Sequence, residues 1–387
     1  MIPRKNIRRL FHKALSEPRY AIRAFFKRAR SYFTYRLLRG WSAYPETVSI
    51  LLTYQCNLRC KMCGQWGETG SSKYYTKDML NQKLDMSHLR SLIDDISSFK
   101  PTITLFGGEP LMYKHWDELV SYIKKRGLRC NMITNGTLLD RHADQIVAAG
   151  IDEIILSLDG PEEIHDEIRG KPGTFRKLKK GVDKINALKV QLRQKRPIFN
   201  INSTIFDFNY RHMEEIIAVA ASLNAKTLTF HHLIFLNEDA YERHNRAFSA
   251  MFNTMSFDWA GFVEKQLPDI DAEYLIQEIE RIGSADYGIP VSFYPNLTEL
   301  EIRDYYSNFE FVPTSYPNRC LSPWMVAYVF PDGSVRPCLS LNYSVGNIQR
   351  DSFRKIWNNK SYVRFRSIVK RERAFPVCTR CTEYYRF

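Results

Sequence analysis

No stretch of the 387 residues approaches the roughly 18 consecutive apolar residues that a membrane-spanning helix needs, so no transmembrane helix is expected. Acidic residues are almost missing from one region. Residues 1–40 hold twelve Lys and Arg but one acid, Glu17, and so carry +11 of the net charge of +14. The rest of the chain is close to neutral, which makes nucleic-acid binding an unexpected function. A secretory leader is also missing, which predicts a reducing, cytoplasmic setting and argues against disulfides among the eight cysteines. The composition is otherwise ordinary, with 44% hydrophobic and 25% charged residues, as for one large soluble domain with a smaller attachment.

The basic segment has a period. Ile22, Phe25, Phe26, Ala29, Tyr32 and Phe33 recur at i, i+3, i+4 spacing, and Arg19, Arg23, Lys27 and Arg30 occupy the remaining faces. Ser16, Glu17 and Pro18 read as a helix start that separates a short helix over 7–15 from this longer one. An aromatic stripe backed by cations is the pattern of an interfacial helix, and each basic residue near an anionic membrane contributes about 1 kcal/mol. Peripheral association with an anionic membrane surface through residues 1–40 is therefore expected. The alternatives are a helix packed on the protein body with a solvated charged face, and a cleaved organelle presequence.

From Thr47 onward, short β-branched runs alternate with helical patterns. The runs "TVSILLTY", "TITLFGG", "RCNMITNG", "EIILSLDG", "FNINSTIF" and "TLTFHHLI" begin near residues 47, 102, 129, 153, 199 and 227. Such alternation predicts a parallel α/β sheet, either a partial barrel or a doubly wound one, with functional residues at the carboxyl ends of the strands. Those ends hold Cys56, then Gly107-Gly108-Glu109-Pro110, then Thr134-Asn135-Gly136, then Ser157-Leu158-Asp159-Gly160.

The cysteines group as three, one and four. Cys56, Cys60 and Cys63 are spaced C-x3-C-x2-C with no His nearby, one thiol short of a closed zinc site, and such a trio suits an iron–sulfur cluster with one open iron. Cys130 lies within the third run and reads as a small buried hydrophobe. Cys320, Cys338, Cys378 and Cys381 surround the hairpin pattern "VAYVFPDGSVRPC" and the helical pattern "DSFRKIWNNKSYVRFR". His231 and His232 end the sixth run and are expected as packed or solvated histidines.

C-x3-C-x2-C after the first strand, followed by "GGEP", resembles the radical S-adenosylmethionine (radical SAM) superfamily. The resemblance implies a partial (βα)6 barrel with a small C-terminal β-hairpin/helix cluster-binding domain. It implies a 4Fe-4S cluster on Cys56, Cys60 and Cys63, with S-adenosylmethionine chelating the open iron. Gly107, Gly108 and Glu109 would then receive the cofactor's amino end. Asn135, Ser157 and Asp159 would face its methionyl and ribose parts, and Arg169 would pair with its carboxylate. Where relatives often have an aromatic residue before the third cysteine, this chain has Met62. The last four cysteines resemble the SPASM/twitch extension. The full pattern has seven cysteines, whereas four suffice for one fully ligated auxiliary 4Fe-4S cluster in electron transfer; structural zinc is the alternative there.

The expected organisation is then basic helices over 1–45, a radical SAM core over 46–235, a helical bridge over 236–315 and the auxiliary domain over 316–387. The implied reaction is reductive cleavage of S-adenosylmethionine to a 5′-deoxyadenosyl radical, which abstracts hydrogen from a substrate C–H bond. A low-potential donor such as flavodoxin or ferredoxin would supply the electron. A small-molecule, sugar or lipid-linked substrate suits the basic N-terminal segment. The alternatives are a maturase of ribosomal peptides, and a non-enzymatic membrane- or nucleic-acid-binding protein with structural metal sites.

Overall fold

The computed structural model describes residues 18–387, and the short helix expected over 7–15 lies outside them. Helix α1 (Pro18–Leu37) precedes strand β1 (Thr47–Leu51). Five βα units continue the chain: α2 (Met86–Ile96), β2 (Thr102–Phe106), α3 (Trp116–Lys125), β3 (Arg129–Thr134), α4 (Leu139–Ala149), β4 (Glu153–Ser157), α5 (Glu162–Arg169), α6 (Thr174–Gln191), β5 (Ile198–Thr204), α7 (Met213–Ser222) and β6 (Thr227–His231). All six runs read from the sequence are strands. The next segment carries α8 (Glu238–Phe252), α9 (Ala272–Ser284), β7 (Val291–Tyr294) and α10 (Glu299–Ser307). The last contributes β8 (Val326–Val329), β9 (Ser334–Arg336), β10 (Gly346–Asn347), α11 (Phe353–Trp357) and α12 (Lys360–Glu372).

All ten strands form one sheet in the order β10-β9-β8-β1-β2-β3-β4-β5-β6-β7. From β8 through β1 to β7 every pairing is parallel, and β9 and β10 extend the sheet antiparallel. Two strands were not foreseen as barrel members. β7 comes from the segment read as helical, and the hairpin strand β8 pairs directly with β1. The eight parallel strands do not close, because β7 and β8 are the two ends of the parallel run. The C-terminal helical pattern is also two helices, broken at Asn358, where Asn359 caps α12 by accepting from the Tyr362 N–H at 2.8 Å.

Residue alternation sets the two faces of this sheet. Val48, Ile50, Ile103, Leu105, Cys130, Met132, Ile154, Leu156, Phe199, Ile201, Leu228 and Phe230 join one core with residues of the surrounding helices. Cys130 is fully buried there, as expected. The opposite, concave face is polar, with Ser49, Thr104, Asn131, Ser157, Asn202, Thr229 and Ser292 in neighbouring registers. Strands covered on both faces usually read as continuous apolar runs, so this alternation marks an interior built to face something polar. At its lower end Arg129 bonds Glu153 at 2.9 Å, and Thr227 donates to Asn200 at 2.9 Å.

Candidate active site

The β1 loop holds the first three cysteines against the ends of β2, β3 and α5. Gly107 and Gly108 permit this approach: a Cβ on either would lie 2.5 Å from the Thr53 carbonyl oxygen or 2.1 Å from that of Gln55. In the resulting space the Gly108 N–H donates to Thr53 O at 2.8 Å and the Glu109 N–H to Gln55 O at 2.9 Å. Gly107 also has φ +149, outside the usual range of other residues. The glycine pair thus has a backbone-packing reason in addition to the cofactor approach expected of it. On the other side, Gly170 has φ +68 and brings the end of α5 onto the loop, where the Lys61 N–H donates to Ile168 O at 2.9 Å.

Each thiol of the trio receives a nitrogen donor. Asn135 Nδ2 lies 3.9 Å from Cys56 Sγ, Arg169 Nη1 lies 3.7 Å from Cys60 Sγ, and the Trp66 N–H lies 3.3 Å from Cys63 Sγ. Donors at sulfur disperse thiolate charge, which a ligating trio requires. Burial lifts the Cys56 thiol to about 11 and also raises Cys60, where the Arg169 guanidinium pulls the other way. Asn57, missed by the sequence reading, ties the cysteine loop to β3: it accepts from Asn135 Nδ2 at 3.0 Å and donates to Thr137 at 2.8 Å.

Glu109 is fully buried and accepts three bonds, from the Leu111 N–H (3.1 Å), the Thr134 hydroxyl (2.8 Å) and the Asn135 N–H (2.9 Å). Burial pushes its carboxyl up to about 7 against those donors. Its partners within the chain are thus the ends of β2 and β3, beside the trio. Asp159, also fully buried, pairs with Arg169 and accepts from the Thr204 N–H at 2.9 Å. Asp159 thus orients Arg169, and the Arg169 Nε is a buried donor with no hydrogen-bond partner among the described residues. Ser157, half-buried, ends β4 on the concave face.

The second set lies where the barrel fails to close. Cys320 precedes β8, Cys338 follows β9, and Cys378 and Cys381 sit in consecutive turns near the C-terminus. Charge coupling links Cys320 to Cys378 and Cys381, and Cys338 to Cys320 and Cys378, so all four face one space. Burial raises all four thiols, to about 11 for Cys378 and well above the usual range for the others. From the β7 edge, Tyr294 donates to Thr382 O at 2.6 Å. On the β8 edge, Tyr328 lies within the field of Cys338, Cys381 and Glu383, and its buried hydroxyl has no hydrogen-bond partner among the described residues. The alternation of "VAYV" against β1 could have placed Tyr328 inside the barrel. His231 reaches the mouth beside Tyr294, with ring centroids 5.3 Å apart, whereas His232 is packed and bonded to the Tyr306 hydroxyl at 2.8 Å.

Among the described residues, no three Cys, His, Asp or Glu side chains converge tightly enough to grip one metal ion. A cluster that takes one thiolate per iron asks instead for sulfurs spread around a space, which both sets provide. The trio with its N–H donors fits a cluster with one open iron, and the unpartnered Arg169 Nε fits the acceptor of a bound amino acid.

An open parallel barrel with two such cysteine sets defines an iron–sulfur enzyme. Residues 50–226 match the radical SAM superfamily, and residues 320–382 match the SPASM iron–sulfur cluster-binding domain. The chain thus contains a radical SAM domain over 50–226 and a SPASM domain over 320–382, families that bind a 4Fe-4S cluster with S-adenosylmethionine and auxiliary iron–sulfur clusters respectively. It is 26% identical over 364 residues to an AdoMet-dependent heme synthase of Oleidesulfovibrio alaskensis, covering 90% of this chain and 83% of that protein. It is also 26% identical over 333 residues to a PqqA peptide cyclase of Xanthomonas euvesicatoria, covering 83% and 77%. In fold it is similar to Streptococcus suis SuiB bound to the precursor peptide SuiA, with TM-score 0.57 and 12% identity over 90% of this chain and 70% of SuiB.

Proposed function

We propose that this enzyme cleaves S-adenosylmethionine reductively and removes hydrogen from a C–H bond of a small-molecule, sugar or lipid-linked substrate. The observation that carries the reading is the polar concave face, flanked at its mouth by the trio on one side and the four cysteines on the other. A ligand held there by Ser, Thr and Asn side chains is better matched by a compact polar group than by an extended chain, because residues 378–387 fill the seam between β7 and β8. Heme synthases that align over most of their length support a small-molecule substrate; the peptide cyclase keeps peptide maturation as the second reading.

When bound, the first cluster and S-adenosylmethionine supply a 5′-deoxyadenosyl radical. The chain's own residues then position and shield. Cys56, Cys60 and Cys63 hold the cluster. Glu109 fixes the β2 and β3 ends around it, Arg169 offers its Nε to the cofactor carboxylate, and Asn135 and Ser157 border the cofactor's remaining length. Cys320, Cys338, Cys378 and Cys381 hold an auxiliary cluster for electron transfer, and flavodoxin or ferredoxin is the proposed external donor. The proposed division is a core over 46–235, a bridge over 236–315 and an auxiliary module over 316–387.

Anaerobically purified, reduced protein should release 5′-deoxyadenosine from S-adenosylmethionine. The reading fails if the product does not exceed that of a protein with Cys56, Cys60 and Cys63 all changed to Ala. Iron and zinc analysis of the same sample tests the auxiliary site.

A further inference from the structure

Helix α1 packs on the body through the wrong face for an ordinary amphipathic helix. At 100° per residue, Ala24, Ser31 and Tyr35 lie on the side opposite Ile22, Phe26 and Phe33. The small, partly polar side is the covered one: Ser31 is 1% exposed and Thr34 5%. It is anchored by Arg28 on Glu46 at 2.7 Å, by the Tyr35 ring against Trp324 at 5.0 Å and by Lys370 donating to Tyr35 O at 2.6 Å. The aromatic stripe points outward, with Ile22 58%, Phe25 64%, Phe26 66%, Phe33 61% and Leu37 63% exposed. Nine of the seventeen large hydrophobic side chains exposed among the described residues fall between residues 22 and 44. Exposed apolar area this concentrated marks a contact surface and not ordinary surface scatter.

We infer that this face of α1 docks on an anionic lipid surface. Charge selects that occupant. α1 contains no acidic residue, and Arg23, Arg30, Arg36 and Arg39 are exposed along and just beyond the stripe. Two copies of the chain meeting through this face would bring like charges together, whereas lipid headgroups neutralise them while the phenylalanines enter the acyl boundary. Where α1 ends against α12, a groove of ≈ 970 Å³ adds cations from Arg39, Arg364, Lys370 and Arg371 around Met251 and Ile368. Lys370 and Arg364 also donate to backbone carbonyls there, and Arg371 pairs with Glu372. The inference goes beyond the proposed reaction and does not rest on it.

The test uses the anaerobic holoprotein, with 5′-deoxyadenosine formation recorded in parallel so that vesicle binding and catalysis fail separately. Full-length protein should sediment with vesicles of equal phosphatidylglycerol and phosphatidylcholine, weakly with phosphatidylcholine alone, and less as salt rises. A Phe25→Ser/Phe26→Ser/Phe33→Ser variant should lose at least ~10-fold in partitioning, with iron content and melting unchanged. Arg23→Gln/Arg30→Gln should weaken binding to the anionic vesicles only. Wild-type protein remaining in the supernatant would overturn the inference, as would serine and wild-type proteins sedimenting equally. A wild-type dimer that the serine variant breaks, without vesicle binding, would overturn it in favour of a second copy.

Discussion

The two cysteine sets solve the same electrostatic problem with different means. The trio comes from one loop, and its sulfurs meet a guanidinium at Cys60, a carboxamide at Cys56 and a backbone N–H at Cys63. The four come from three separate segments and meet mainly backbone: the N–H groups of Ser322, Ser340 and Glu383, each two residues past a cysteine, oppose the burial that raises Cys320, Cys338 and Cys381. The Glu383 carboxylate adds negative charge beside them, partly offset by Arg386 at 2.9 Å. Net charge and hydrogen bonds to sulfur set the potential of an iron–sulfur cluster, and here the surroundings differ: Arg169 with Glu109 and Asp159 beside the trio, Glu383 with Arg386 beside the four. The trio borders the polar concave face, while the four, each partly exposed, lie in the barrel seam.

The largest test of that contrast is to remove a thiol from each. Cys56→Ala should abolish 5′-deoxyadenosine formation, whereas Cys338→Ala should keep cofactor cleavage measurable while turnover of the true substrate falls to background. Equal loss of cleavage in both variants would mean that the second site is needed for the first step, and the division of roles would be wrong. Each variant should also lose roughly four irons per chain against the parent.

A second contrast lies in two buried arginines. Arg169, beside the trio, is paired with fully buried Asp159. Arg366 of α12 is fully buried with no carboxylate partner among the described residues; it donates to Pro323 O at 2.8 Å, Trp357 O at 2.9 Å and Asn358 Oδ1 at 2.9 Å, and stacks on Trp357 and Tyr362. Burial among neutral acceptors lowers its pKa to about 10. Arg169→Ala should cost about 3–5 kcal/mol, because it leaves an uncompensated carboxylate in the interior. Arg366→Met leaves only neutral carbonyls and should cost about 1–3 kcal/mol. Thermal melts of the two proteins give the order; changing Asp159→Asn together with Arg169→Met should recover much of the larger loss.

These contrasts also show what the chain discloses in one dimension. The six core strands were legible because each is a short β-rich run followed by a loop that carries Gly, Asn or Asp, and the trio because its ligands share one loop. β7 was missed because four residues between Pro290 and Pro295 carry no alternation to count. Nothing local says that β8 pairs with β1, since that contact spans most of the chain. The period of α1 was readable, yet which face packs was decided by Glu46 just beyond the helix and by Trp324 and Lys370, both distant in sequence. Glu109 was recognisable from "GGEP", but its bonds to Thr134 and Asn135 exist only once β3 lies beside β2.

The smallest effect is a pH test of the seam that holds the four cysteines. His244 of α8 is fully buried, its ring 5.9 Å from Phe375, three residues before Cys378, and neither ring nitrogen has a hydrogen-bond partner among the described residues. Burial lowers its pKa to about 4. In the unfolded chain the imidazole titrates near its usual value of about 6.5, so between those values the unfolded state binds the extra proton. Stability is therefore fully present above about pH 6.5 and is lost as pH falls toward 4. At pH 5 the single group costs about 2 kcal/mol, from 1.5 units at 1.36 kcal/mol each. His244→Phe removes the titration without stranding a polar partner. The variant should melt alongside the parent at pH 7.5 and above it at pH 5, with the gain in the transition that releases the C-terminal module. A parallel fall in both proteins would place the acid-sensitive point elsewhere. His165, beside Asp159, and His232, under Tyr306, are pushed to about 3 by burial in the same sense. In that case the barrel side of the molecule, and not the seam, yields first to acid.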